Sequence, residues 1–133
     1  MNRKKCLEAI QLLSRLSAAD DEGYVQCVSC GIIKHYRDGM QGGHFIAKGT
    51  SSYWALEIEN VHPQCYGCNV FGMKHGAAAQ EYTLWMQNMY GNEYVQDMLD
   101  SRKNSIKFYK KDYEDMYKEF KVLIKHHYER IGG

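Results

Sequence analysis

The period of the apolar positions divides the chain into three parts. From about Asn2 to Ser17 they recur at Cys6, Ile10, Leu13 and Leu16, with Leu7 and Leu12 widening the stripe. That spacing predicts an amphipathic helix with one buried face. Glu8, Gln11 and Arg15 break the apolar run, which argues for a helix and against a signal-peptide core. Cys6, alone on the apolar face, reads as packing. Ala18 to Gly23 is an acidic loop, and Tyr24-Val25-Gln26 a brief strand. Residues 32–41 carry no period and are expected to be irregular. His44 to Ala47 reads as a short strand, Trp54 to Ile58 as a second strand or the approach to one, and Pro63 holds His62 extended. Helical spacing returns past residue 76. Ala77 to Tyr90, closed by Gly91, sets Tyr82, Trp85, Met86 and Met89 at packing intervals, and Glu93 to Ser101 repeats the pattern with Tyr94, Val95, Met98 and Leu99. Ser105 to Phe108 reads as extended. The last helix is expected to start at Asp112 as N-cap and to bury Tyr113, Met116, Tyr117, Phe120, Leu123, Ile124, His127 and Ile131.

Composition narrows this picture without changing it. The chain has 133 residues, 44% of them apolar. This predicts one α+β domain over 1–133, with a compact centre at about 24–76 and a helical extension at about 77–133. A chain of this size buries roughly two-thirds of its unfolded surface, so a structural metal adds usefully to its stability. The net charge of +1 excludes a globally basic nucleic-acid binder, and any DNA surface must be a local patch. No run is long enough to span a membrane, and a soluble, cytoplasmic protein is expected. Five cysteines, four of them in Cys-x-x-Cys pairs, point to metal thiolates in a reducing compartment.

Those pairs are Cys27-Val28-Ser29-Cys30 and Cys65-Tyr66-Gly67-Cys68. Four soft ligands leave no open position, so the zinc ion they predict is structural. A zinc ribbon without any chemistry has the same spacing. A thiol redox protein fits less well, because both pairs are used by one ion. Enclosed between the pairs are Gly42-Gly43-His44-Phe45 and Asn60-Val61-His62-Pro63-Gln64, with Asn69 directly after the last cysteine. Phosphodiester hydrolysis needs a base to activate water and a hard cation at the departing oxygen. His44 is a competent base near neutral pH, and Asn69 offers an amide oxygen to magnesium or manganese. Asn60 is placed to orient the loop carrying the base. His62 is a candidate supporting group and His75 a candidate phosphate or metal contact; a structural histidine and a surface histidine are the plainer readings. Lys34, Arg37, Lys48 and Lys74 lie near the motif as candidate phosphate contacts.

The order Cys-x-x-Cys, Gly-Gly-His-Phe, Asn-x-His-Pro-Gln-Cys-x-x-Cys-Asn resembles the HNH (ββα-metal) endonucleases in their His-Asn-Asn variant. More closely it resembles the phage NinG/Rap recombination-protein family, strongest from Cys27 to Asn69 and looser through the helical tail. The resemblance implies a zinc-stabilised, treble-clef-like ββα-metal core acting on branched or Holliday-junction-like DNA in the host cytoplasm, with a homodimer suited to a symmetric junction. It implies His44 as general base, Asn69 as ligand of a catalytic Mg²⁺ or Mn²⁺, Asn60 as the loop-pinning residue and the four cysteines as the structural Zn²⁺ site. One departure stands out: the position before the base, where many relatives carry a metal ligand, is Gly43. Gln41 is then the neighbouring oxygen donor, and Asp38 a carboxylate within reach. A non-catalytic zinc-stabilised DNA-binding or recombination accessory protein is the alternative.

Overall fold

The computed structural model describes residues 2–132 and is an α+β arrangement; residues 1 and 133 of the expected domain lie outside it. Helix α1 (Arg3–Ala18) opens on Asn2, whose side-chain oxygen accepts the Lys5 amide at 3.1 Å as an N-cap. Its predicted stripe is buried, Cys6 included. Strands β1 (Tyr24–Gln26) and β2 (Ile33–His35) pair antiparallel. Strands β3 (Met40–His44) and β4 (Val61–Cys65) form a second antiparallel pair, with Gln41 opposite Gln64 and Gly43 opposite His62. A π-helical turn, Gly67–Gly72, runs into a short helix α2 (Met73–His75). Helices α3 (Ala78–Tyr90), α4 (Asn92–Asp100) and α5 (Lys110–Ile131) complete the chain. No described helix is long and apolar enough to cross a membrane.

Four sequence expectations are corrected or narrowed. Residues 32–41 contain β2, whose Ile33 is exposed and so gave no alternation. The strand expected at His44 to Ala47 instead ends at His44 and begins at Met40, hidden by two glycines that are poor strand formers. Trp54 to Ile58 is the approach to a strand and not one itself: two 3₁₀ turns, Trp54–Leu56 and Ile58–Asn60, lead into β4. The Ser51 hydroxyl takes the Trp54 amide at 3.0 Å and turns the backbone there. Asp112 is not the N-cap of α5. It lies in the first turn and accepts the Tyr109 amide at 2.8 Å.

The β3–β4 hairpin separates two apolar clusters. Strand alternation turns Met40, Gly42 and His44 to one face, and Gln41 and Gly43 to the other. The first face packs on α1, which in turn packs on α5; Ile10, Leu13, Val61, Phe120 and Ile124 belong to that cluster. Arg130 of α5 donates to the carbonyls of Leu16 and Ala19 at 3.1 and 2.8 Å, satisfying the last turn of α1. The second face meets Tyr82, Trp85 and Tyr90 of α3 through Gly43 and His62, and Tyr82 belongs to the second cluster with Met86, Val95 and Met98. Gly42 is required where α1 crosses the hairpin, since a Cβ there would come within 2.6 Å of Gln11 Cα.

Candidate functional site

Cys27 and Cys30 lie in the turn joining β1 to β2, Cys65 ends β4, and Cys68 lies in the π-helical turn. Gly31, at φ +81°, reverses the backbone there and brings its amide to the Cys27 carbonyl at 3.0 Å. The four sulfurs lie within 4.8 Å of one another, with Cys30 and Cys65 3.7 Å apart. A tetrahedral zinc with Zn–S bonds near 2.3 Å spaces its sulfurs about 3.8 Å apart, so this donor set fits a closed structural site. Burial raises the Cys27 thiol, but backbone hydrogen bonds at Cys65, Cys30 and Ser29 outweigh it and set Cys27 below its ordinary range. Burial and the neighbouring thiols push Cys68 upward, a conflict that a bound dication relieves by stabilising every thiolate. Among the described residues no other group of three or more His, Cys, Asp or Glu side chains is gathered in this way, and Asp38 joins none.

His44, at the end of β3, points its Nε2 at the Ala55 carbonyl, 2.9 Å away. A carbonyl only accepts, so Nε2 carries the proton and Nδ1 keeps a lone pair in the neutral ring. Burial holds the imidazole below the ordinary histidine range, and the charges of Lys48 and Arg3 add to this against the opposing pull of Ala55. The loop that carries the Ala55 carbonyl is held by Asn60, which is fully buried and bonds the neighbouring Trp54 carbonyl. Asn60 Nδ2 donates to the carbonyls of Ile46 and Trp54 at 2.9 and 3.0 Å, and its Oδ1 accepts the Ile46 amide at 2.8 Å. Three bonds from one side chain fix the loop between the strands.

On the opposite face of the hairpin, Asn69 Nδ2 donates to Gln41 Oε1 at 2.6 Å. The fold thus joins Asn69 to Gln41 and His44 to Asn60's loop, but it does not bring the two pairs into contact. They flank β3, which has β4 on one side and, among the described residues, no strand on the other. Gly43 has a steric cause. Ser29 spends its only proton on the Ala78 carbonyl, so Gln64 must offer Ser29 its NH₂, at 2.9 Å. The Gln64 oxygen is left without a partner and faces Gly43, where any Cβ would overlap it and lie 2.7 Å from Gln64 Cδ. Residue 43 therefore has no room for a ligand side chain while Gln64 stands. Gly43→Ala is expected to destabilise by about 1–3 kcal/mol in urea melts, and Gln64→Ala in the same chain to recover part of that loss.

His62 shares this face. Its Nε2 lies 2.8 Å from the Tyr90 hydroxyl and its Nδ1 3.0 Å from that of Tyr82, which itself donates to the Gly43 carbonyl at 2.8 Å. With the Tyr82 proton committed, Nδ1–H donates to Tyr82 and Nε2 accepts from Tyr90. Burial drops His62 to about 4 from 6.5. Above 6.5 both folded and unfolded chains leave it neutral. Between 6.5 and about 4 only the unfolded chain takes up the proton, so stability falls with pH across that window, by up to roughly 3 kcal/mol. His62→Gln is expected to flatten this slope relative to the parent in urea melts from pH 7 to 4.5.

Of the remaining sequence candidates, His75 is exposed and packs its ring on Phe71, 4.8 Å between centroids. Arg37 donates to Tyr36 Oη at 2.9 Å; Lys48 and Lys74 are exposed. Sequence reasoning missed Arg3, whose guanidinium donates to the Lys48 carbonyl at 2.8 Å. It also missed Tyr82 and Tyr90 as polar partners, because their spacing on α3 reads only as packing. Among curated proteins and solved structures, none matches the chain. The family model described as bacteriophage lambda NinG protein matches residues 6–129, nearly the whole chain. The protein therefore belongs to the phage NinG family, which is recombination-related.

Proposed function

We propose that the protein is a divalent-metal-dependent DNA endonuclease of HNH (ββα-metal) type, with a treble-clef-like zinc core, acting on branched or recombining DNA. The observation that carries this reading is the His44 imidazole, its proton fixed on Ala55 and its Nδ1 free to accept. A phosphate seated on the open edge of β3 is reached from both faces. His44 then takes the proton of a water attacking phosphorus from the α1 side. Asn69, with Gln41, is the candidate ligand set for Mg²⁺ or Mn²⁺ on the other side. In-line displacement needs this opposition, since the nucleophile enters and the leaving oxygen departs along one axis. The dication supplies charge neutralisation at the leaving oxygen when bound. Asn60 holds the base through its loop, while Arg3, Arg37, Lys48 and Lys74 supply phosphate contacts.

A second reading, a zinc-stabilised DNA-binding accessory protein, is favoured by one observation: the oxygen donors beside Asn69 are neutral amides, which hold magnesium weakly. The test is incubation of the zinc-loaded chain with linear, flapped and four-way DNA in magnesium, manganese or neither. Metal-dependent strand cutting is expected. Binding to branched DNA with no cutting under either metal overturns the nuclease reading in favour of the second.

A further inference from the structure

The segment after Cys65 presents large apolar side chains that the core does not use. Tyr66, Val70 and Phe71 are 60, 48 and 64% exposed, and no residue of the π-helical turn Gly67–Gly72 is buried. Tyr66, Val70 and Lys74 recur at four-residue intervals, as do Phe71 and His75, so two adjacent rows share one outward surface. The turn is anchored from behind by Cys68 in the thiolate cluster and by the Asn69–Gln41 bond. Phe71 is steadied by the His75 ring at 4.8 Å. A rigid, anchored helix that exposes rather than buries its aromatic side chains is arranged to meet something.

Charge indicates what that is. Of sixteen acidic residues, only Glu57 and Glu59 fall between Gly39 and Gln80, and the segment from Tyr66 to His75 carries Lys74 and no carboxylate. The segment thus offers a polyanion positive charge and adds none of the opposite sign. An apolar face gains nothing from phosphates, but it gains from the flat faces of bases, and a closed duplex hides those. We infer that the exposed face of Tyr66, Val70 and Phe71, edged by Lys74 and His75, stacks against unpaired bases at the branch point of DNA. The inference rests on the proposed function only for DNA as partner. It makes the outward face of the zinc-anchored turn, the face away from the Asn69–Gln41 pair, the element that distinguishes branched from linear DNA.

The test measures binding of the zinc-loaded full chain, without magnesium or manganese, to linear duplex, flap and four-way DNA carrying 2-aminopurine at the branch. Phe71→Ala is expected to weaken binding to branched DNA about tenfold, to abolish the 2-aminopurine response and to leave linear duplex affinity little changed. Phe71→Trp is expected to restore both. Lys74→Ala should weaken all three DNAs by a similar factor, as a phosphate contact does. Because Phe71 is exposed, the alanine variant keeps its fold. Equal losses on branched and linear DNA overturn the inference, as does unchanged binding. So does unchanged DNA binding with reduced self-association, which assigns the surface to a second copy. No cleavage is read, so a chain that binds branches and never cuts removes the nuclease reading and leaves this one standing.

Discussion

His44→Ala is expected to lower metal-dependent DNA cleavage by about 10²–10⁴-fold, the usual contribution of a positioned general base. The fold should survive, because the variant gives up one half-buried side chain and one hydrogen bond, worth about 1 kcal/mol. Zinc content and DNA affinity should remain near those of the parent. The pH profile separates a catalytic loss from a structural one. Burial, with Lys48 and Arg3 adding, keeps the imidazole neutral to lower pH than an ordinary histidine. The acid limb of the parent's rate should therefore lie below 6.5, and that limb should vanish from the residual activity of His44→Ala. Full retention of cleavage, or an acid limb unmoved by the substitution, removes His44 from the mechanism.

What the sequence disclosed follows from how far each signal reaches. The stripe of α1 and the stops at Gly91 are local, and helical period alone finds them. The cysteine quartet spans distant segments yet was legible, because zinc demands a residue type and a spacing. Asn60 was legible for its order between the knuckles, though three bonds to Ile46 and Trp54 cannot be read from one letter. Three parts were not legible for physical reasons. The partner of His44 is a backbone carbonyl, which every residue has. Gly43 read as a missing ligand, whereas the structure makes it the space that Gln64 occupies. Arg3 meets Lys48 only because α1 lies across the hairpin, a tertiary fact with no local period behind it.

Removing the metal should have the larger structural effect. The β1–β2 turn reaches the rest of the chain through few polar links: Val28 N–H to the Pro63 carbonyl at 2.9 Å, and Ser29 to Ala78 at 2.8 Å and to Gln64 at 2.9 Å. Each contributes about 1 kcal/mol. Structural zinc, by contrast, contributes on the order of 10 kcal/mol in small domains at neutral pH, comparable with the whole stability of a chain this size. The consequence is not confined to the knuckles, because Cys27 is part of the α1–α5 cluster and Cys65 and Cys68 pack against it. Without a cation the four thiols cannot all ionise at such short range, and the upward push on Cys68 marks where the conflict falls. Chelation, or Cys65→Ser, is therefore expected to lower the melting temperature by roughly 10 °C or more, with loss of near-ultraviolet dichroism. Acidification should mimic chelation, since protons compete with the metal for thiolate, and one zinc per chain should leave as the transition proceeds. A melting temperature unchanged after the metal is gone would mean that the helices and hairpin hold the knuckles together unaided. The base loop would then owe its position to Asn60 alone.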